Sequence, residues 1–168
     1  MHITDVYADA FERIYEAVHE AVEGLDADQL NERPGPDVNS ISWLVWHLTR
    51  IQDDHVADVA GTEQAWTSDG WAERFGLPFD VHDTGYGHTS EEVAATRVAS
   101  GELLLGYYDA VHERTIAFVR ARSAEDLDRV VDDRWTPPVT LGVRLVSVVA
   151  DDLQHAGQAA YVRGLLGL

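Results

Sequence analysis

The 168-residue chain has no cysteine, which excludes disulfides, thiolate metal sites and a cysteine nucleophile. It has no lysine either, so all 12 of its basic residues are arginine, and Asp plus Glu outnumber them at 30. The resulting net charge of −18 argues against nucleic acid, because affinity for phosphate chains comes mainly from clustered Lys and Arg. Anionic membranes are disfavoured for the same reason. No apolar run approaches the ~18 residues that a bilayer span needs. The opening Met1-His2-Ile3-Thr4-Asp5 has neither a basic start nor a hydrophobic stretch, so no signal peptide is expected and the cytoplasm is the default location. Arginine-only usage with abundant Ala, Val, Asp and Gly is the bias that a GC-rich genome produces.

What is present describes a globular helical protein. Apolar residues make up 45% and charged ones 25%, and the length suits a single domain over residues 1–168. Tyr7, Phe11, Ile14, Val18, Ala21 and Leu25 recur at three- and four-residue steps, which predicts a first helix from about Thr4 that Gly24 and the Asp26–Asp28 cluster end. A second helix is predicted from Ser40 or Ser42 to about Val59, with Gly61 as its stop. Residues 62 to 89 carry Trp66, Trp71 and Phe75, and are read as a folded lid with one short helix, roughly Ser68 to Phe75. Thr89 and Glu92 have capping-box form and open a third helical region, with a break at Ser100-Gly101. The fourth helix is predicted from about Thr140 to Leu166. No segment alternates with a period of two, so the expectation is an all-α four-helix bundle without a sheet.

Polar residues inside apolar stripes are the informative exceptions. His47 ends the run Trp43-Leu44-Val45-Trp46-His47 where an aliphatic residue would otherwise sit. In the fourth helix Asp151 and His155 are four apart and share one face. Asp-x-x-x-His places two ligand atoms on adjacent turns, and His47 is the candidate third ligand from another helix. Two His and one carboxylate leave an open position, the mark of a catalytic rather than a structural ion. An i,i+4 Asp–His pair also forms plain salt bridges, and by spacing alone Asp152 could replace Asp151. Asp54 shares a face with His47, but seven residues separate the two by ~10 Å along the helix, too far for one ion. His112 is a weaker candidate, His19 and His55 read as solvated faces, and His82 and His88 lack ligand spacing. Arg50 and Arg144 are candidate anion or substrate contacts, or else partners for an acidic surface. Trp43, Trp46, Trp71 and Tyr107 either line a pocket or pack the core.

Ser42-Trp43-Leu44-Val45-Trp46-His47-Leu48 and His155-Ala156-Gly157-Gln158 resemble the DinB-like superfamily, more narrowly its actinobacterial thiol-transferase branch, related to the N-terminal domain of mycothiol-dependent maleylpyruvate isomerase. The family pattern has W-x-x-x-H on helix two and H-x-x-x-H-x-G-Q on helix four. His47, His155, Gly157 and Gln158 match it, whereas Asp151 stands where many members have His; the isomerase has a carboxylate there too. The resemblance therefore implies Asp151 rather than Asp152 as ligand, with Gln158 supporting the site. It also implies an up-down-down-up bundle, a homodimer, one zinc or nickel ion, and a mycothiol-like thiol with a small electrophile as partners. The leading expectation is a metal-dependent thiol transferase. The alternatives are a metal-dependent hydrolase and a non-catalytic stress-response domain.

Overall fold

The computed structural model describes residues 2–168, and most of them are helical. Four long helices dominate: α1 (Ile3–Val22), α3 (Ile41–Ala60), α7 (Gly101–Arg120) and α8 (Leu141–Leu166). Four short ones join them: α2 (Ala27–Asn31), α4 (Ala65–Ser68), α5 (Trp71–Phe75) and α6 (Ser90–Ala95). Three of the long helices, α3, α7 and α8, start where a hydroxyl accepts from a free backbone N–H: Ser40 from Trp43, Ser100 from Leu103 and Thr140 from Val143. Gly61 and Gly167 end α3 and α8 in the left-handed conformation, which glycine adopts without strain.

Side-chain pairings fix how the helices lie together. Tyr7 Oη donates to the Gly142 carbonyl (3.0 Å), and Arg163 donates to the Glu20 and Glu23 carbonyls (2.6 and 3.0 Å), so α1 and α8 have like ends together. Arg144 meets His55 while His155 meets His47, so α3 and α8 run in opposed directions. Phe11, Ile14, Leu44, Leu48, Tyr107 and Leu145 meet in one continuous apolar core. Burying each such side chain contributes roughly 1.5–3 kcal/mol.

Three details differ from the sequence reading. Asp26 does not merely end the first helix; it caps α2, accepting from Gln29 N at 2.9 Å. The lid holds two short helices rather than one, because Gly70, left-handed at φ 72°, separates α4 from α5. A small antiparallel ladder, β1 (Val130–Asp132) with β2 (Val139–Thr140), precedes α8 where no sheet was expected. Strands of three and two residues are too short to show alternation.

The lid is fastened from below. The Asp53 carboxylate, buried on α3, accepts from the Ala65 and Trp66 N–H groups (2.9 and 2.8 Å) and from Tyr107 Oη (2.9 Å). These bonds satisfy the free N–H groups at the start of α4 and lay residues 62–89 over the outer side of α3. No described helix is long and apolar enough to cross a membrane.

Candidate metal centre

His47, Asp151 and His155 converge where α3 crosses α8, each offering a ligand-type atom within 4.8 Å of the others. The two imidazoles meet edge to face at 4.7 Å between centroids. His47 is buried, while Asp151 and His155 are partly open to solvent. An ion with ~2.1 Å bonds at tetrahedral angles would hold its ligand atoms roughly 3.4 Å apart, so small side-chain movements suffice.

The protonation pattern fits a cation. His47 Nδ1 donates to the Thr84 carbonyl (2.5 Å), and His155 Nδ1 donates to the Asp151 carbonyl (2.8 Å). In each neutral ring the Nε2 lone pair is left free, and a metal-ligating histidine usually has its other nitrogen committed in this way. One Asp151 carboxylate oxygen is buried with only His155 Nδ1 near it, at 3.2 Å, and Nδ1 already donates to the Asp151 carbonyl, so a cation would offset this anion further. Burial lowers the pKa of His47 and keeps the ring neutral. Burial also works against the His155 cation, but the Asp151 side chain and carbonyl outweigh it and leave that pKa raised. Burial disfavours the Asp151 anion as well, yet the hydrogen bond from His155 and the nearby rings hold its pKa below the ordinary value.

A loop at the end of the lid presses on His47. Gly85, at φ +86°, passes so close that a Cβ would lie 2.9 Å from both His47 Nδ1 and the Trp46 ring, so only glycine fits. Trp43 stacks on His47 at 4.7 Å and donates through Nε1 to His88 Nδ1 (3.1 Å). His88 Nε2 in turn donates to the Asp83 carboxylate (3.1 Å), which also accepts from Gly85 N (2.8 Å). Burial works against the Asp83 anion, but these two donors leave its pKa lowered.

Arg50 contributes to this support. It is fully buried, donating to the Asp83 carbonyl (3.1 Å), Gln64 Oε1 (2.7 Å) and Tyr107 Oη (3.3 Å). Its Nε and Nη1 donors are thus committed to the lid–α3 seam, while Nη2 is buried without a partner. Arg144 is likewise committed, to His55 Nδ1 (2.6 Å) and Asp132 (3.3 Å). Gln158 is exposed beside Asn39 and Tyr161 and makes no hydrogen bond to the three convergent residues. His55 and His19 are not simply solvated: His55 takes the Arg144 bond and His19 pairs with Asp109 at 2.8 Å. Trp46 and Tyr107 are core residues, and Trp71 packs against Tyr107.

Asp152 points away from the convergence into the bundle. It is fully buried, both its oxygens lack partners, and burial pushes its pKa well above the usual carboxyl range. Asp54 accepts from Gln64 Nε2 (2.7 Å), and His112 lies by Glu12 (3.5 Å). The residues that sequence reasoning missed are Thr84, Gly85 and the Asp83–His88 pair. Thr84 acts through its carbonyl, which no side-chain pattern signals; Gly85-Tyr86-Gly87 was the one visible hint of close backbone approach.

Comparison with known proteins bears on the fold and the family. No curated protein sequence matches the chain. A crystal structure of a conserved protein from Enterococcus faecalis is 34% identical, with 100% of this chain and 99% of that one covered and a TM-score of 0.93. The sequence model of the DinB superfamily matches residues 10–159 and so includes His47, Asp151 and His155. On that match, which spans most of its length, the chain belongs to the DinB superfamily, a metal-binding family.

Proposed function

We propose that this protein is a metal-dependent S-transferase of the cytoplasm. It holds one divalent ion, zinc or nickel, on His47 Nε2, the Asp151 carboxylate and His155 Nε2. Its substrates are a mycothiol-like low-molecular-weight thiol and a small electrophile. The observation that carries this reading is a three-ligand group drawn from only two helices, with no fourth His, Cys, Asp or Glu among the described residues joining it. Structural ions are usually closed by four protein ligands, so three leave a place for substrate. When bound, the ion supplies Lewis acidity that lowers the pKa of a thiol in that place. His47 and His155 are oriented by backbone carbonyls that hold their Nδ1 protons, which leaves each Nε2 to serve as the ligand atom. Asp151 offsets part of the positive charge. With no cysteine in the chain, any sulfur nucleophile comes from outside. We further read the helix pairings as an up-down-down-up four-helix bundle, α1 and α8 running one way and α3 and α7 the other.

The test uses protein purified without a metal-affinity tag. Elemental analysis should give about one ion per chain. Conjugation of a small thiol to a model electrophile should vanish after chelation and return with zinc or nickel. Conjugation at full rate in metal-free protein would sink the transferase reading, and metal-dependent ester hydrolysis without conjugation would replace it with a hydrolase.

A further inference from the structure

The lid closes a second cleft against α3, on the side that faces the lid rather than α8. It measures about 220 Å³ and is walled by Trp46 from α3, Trp66 from α4, and Leu77 and Phe79 from the segment after α5. The rings stand at angles around it. Trp66 meets Trp46 edge to face at 6.3 Å between centroids, and Phe79 tilts against Trp46 at 6.0 Å. Glu73 and Asp80, both exposed, belong to its rim. A cavity of about 150 Å³ holds benzene, so this cleft suits a single substituted ring.

Two of its walls carry a hydrogen-bond donor with nothing to donate to. A buried indole N–H usually finds an acceptor, because an unpaired buried donor is destabilising. Trp46 and Trp66 are both more than nine-tenths buried, and neither Nε1 has a partner. The Arg50 guanidinium lies over the Trp66 ring, 5.0 Å from its centroid, and its Nη2 is also buried unpaired. This seam has donors to spare.

We propose that this cleft binds a small neutral molecule made of one aromatic ring and a carbonyl-type oxygen, the oxygen accepting from the Trp46 and Trp66 N–H groups. Each feature of that class answers to a wall. The rings and Leu77 select a flat apolar body. The two indole donors select an acceptor oxygen at its buried end. Glu73 and Asp80 at the rim, in a chain of net charge −18, turn away the anion that the donors alone would take. Solvent reaches neither nitrogen while the cleft is empty. The oxygen reaches them when the half-buried Leu77 and Phe79 side chains turn outward, and rotamer changes of that kind are common on binding. None of His47, Asp151 and His155 lines the cleft, so it works without the ion.

Acetophenone and α-methylstyrene are the probes, since they share a shape and differ only in a carbonyl against a methylene. Binding is read from the indole N–H resonances of isotope-labelled full chain, which Trp46→Phe and Trp66→Phe assign. Acetophenone at millimolar concentration should shift the Trp46 and Trp66 signals and leave in place that of Trp135, which is exposed in the turn between β1 and β2. It should bind about tenfold more tightly than α-methylstyrene, the worth of one or two hydrogen bonds. Trp46→Phe and Trp66→Phe should each lose most of that preference, a ratio that lost packing alone would not move. Leu77→Trp keeps both donors but fills the cleft, and should bind neither probe. Circular dichroism checks that all three variants fold. Benzoate should bind more weakly than acetophenone. Unshifted Trp46 and Trp66 signals, no preference for the carbonyl compound in the wild type, or full preference in both phenylalanine variants would overturn the proposal. So would undiminished binding to Leu77→Trp, or benzoate binding better than acetophenone.

Discussion

Helices α3 and α8 bring the candidate ligands together, yet they are held in opposite ways. α3 is enclosed nearly all round, by the bundle on one side and by the lid on the other, and even Thr49, Arg50, Gln52 and Asp53 are buried along it. α8 is packed on one side and bare on the other. Ligand orientation follows the same division. His155 is set by its own helix, because its Nδ1 donates to the carbonyl four residues back. His47 is set from outside, by a carbonyl 37 residues further along the chain. A ligand oriented by its own helix is in place as soon as the helix forms. One oriented by a remote loop depends on that loop being docked.

The largest effect should come from removing either kind of ligand. His47→Ala and His155→Ala are each expected to reduce the protein from about one ion per chain to almost none, and Asp151→Ala to weaken binding far more than Asp152→Ala. Elemental analysis and chelator competition read this directly; full occupancy in both histidine variants would mean the site is misassigned. The next effect tests the asymmetry. Gly85→Ala leaves all three ligands in the sequence but drives a methyl group into His47 and Trp46. Metal affinity should fall by about 10–100-fold, the usual cost of disturbing a group that orients a ligand. Unchanged affinity would show that the loop does not set His47, and the contrast between the two helices would fail.

The enclosed and the bare helix also differ in how legible they were. Both appear in the sequence through their caps and periodicity: Ser40 and Gly61 bracket α3, and Thr140 opens α8. The i,i+4 relation of Asp151 and His155 is local, so spacing alone places the two on one face. That His47 meets them is a tertiary fact, which only the break in an apolar stripe and the family resemblance suggested. Arg50, one turn from His47, lies on a neighbouring part of the helix, and spacing does not say what covers that part; the lid does. Asp152 could not be separated from Asp151 by spacing, since adjacent residues differ by only 100° around a helix, enough to send one to the metal group and the other into the core.

That buried neighbour gives a smaller effect of opposite sign. Asp152 has no partner for either oxygen, so it costs desolvation without return. Asp152→Leu should raise stability by about 1–3 kcal/mol while leaving metal content intact. Denaturant unfolding with chelator present checks the first half, and a loss of stability would mean the carboxyl has a partner that matters.

The smallest expected change is in the fold itself when the ion is removed, and it separates a catalytic ion from a structural staple. Small zinc domains are unfolded without metal because they have little else to bury, whereas four long helices around a common core fold on apolar burial alone. Chelated protein should therefore keep its helical circular dichroism and unfold cooperatively. Restoring the ion at a hundred times its dissociation constant adds ~2.7 kcal/mol, or roughly 5–10 °C in melting temperature for a chain of this size. The two helices should feel its loss unequally. α3 is braced by the lid through Asp53 and Arg50, so its amide protons should stay protected. Around residues 151–155, α8 has packing on one side only, and exchange there should quicken. Equal loosening of both helices would show that the lid does not brace α3. Wholesale loss of helix would make the ion a staple between α3 and α8, and the transferase reading would lose its main physical support.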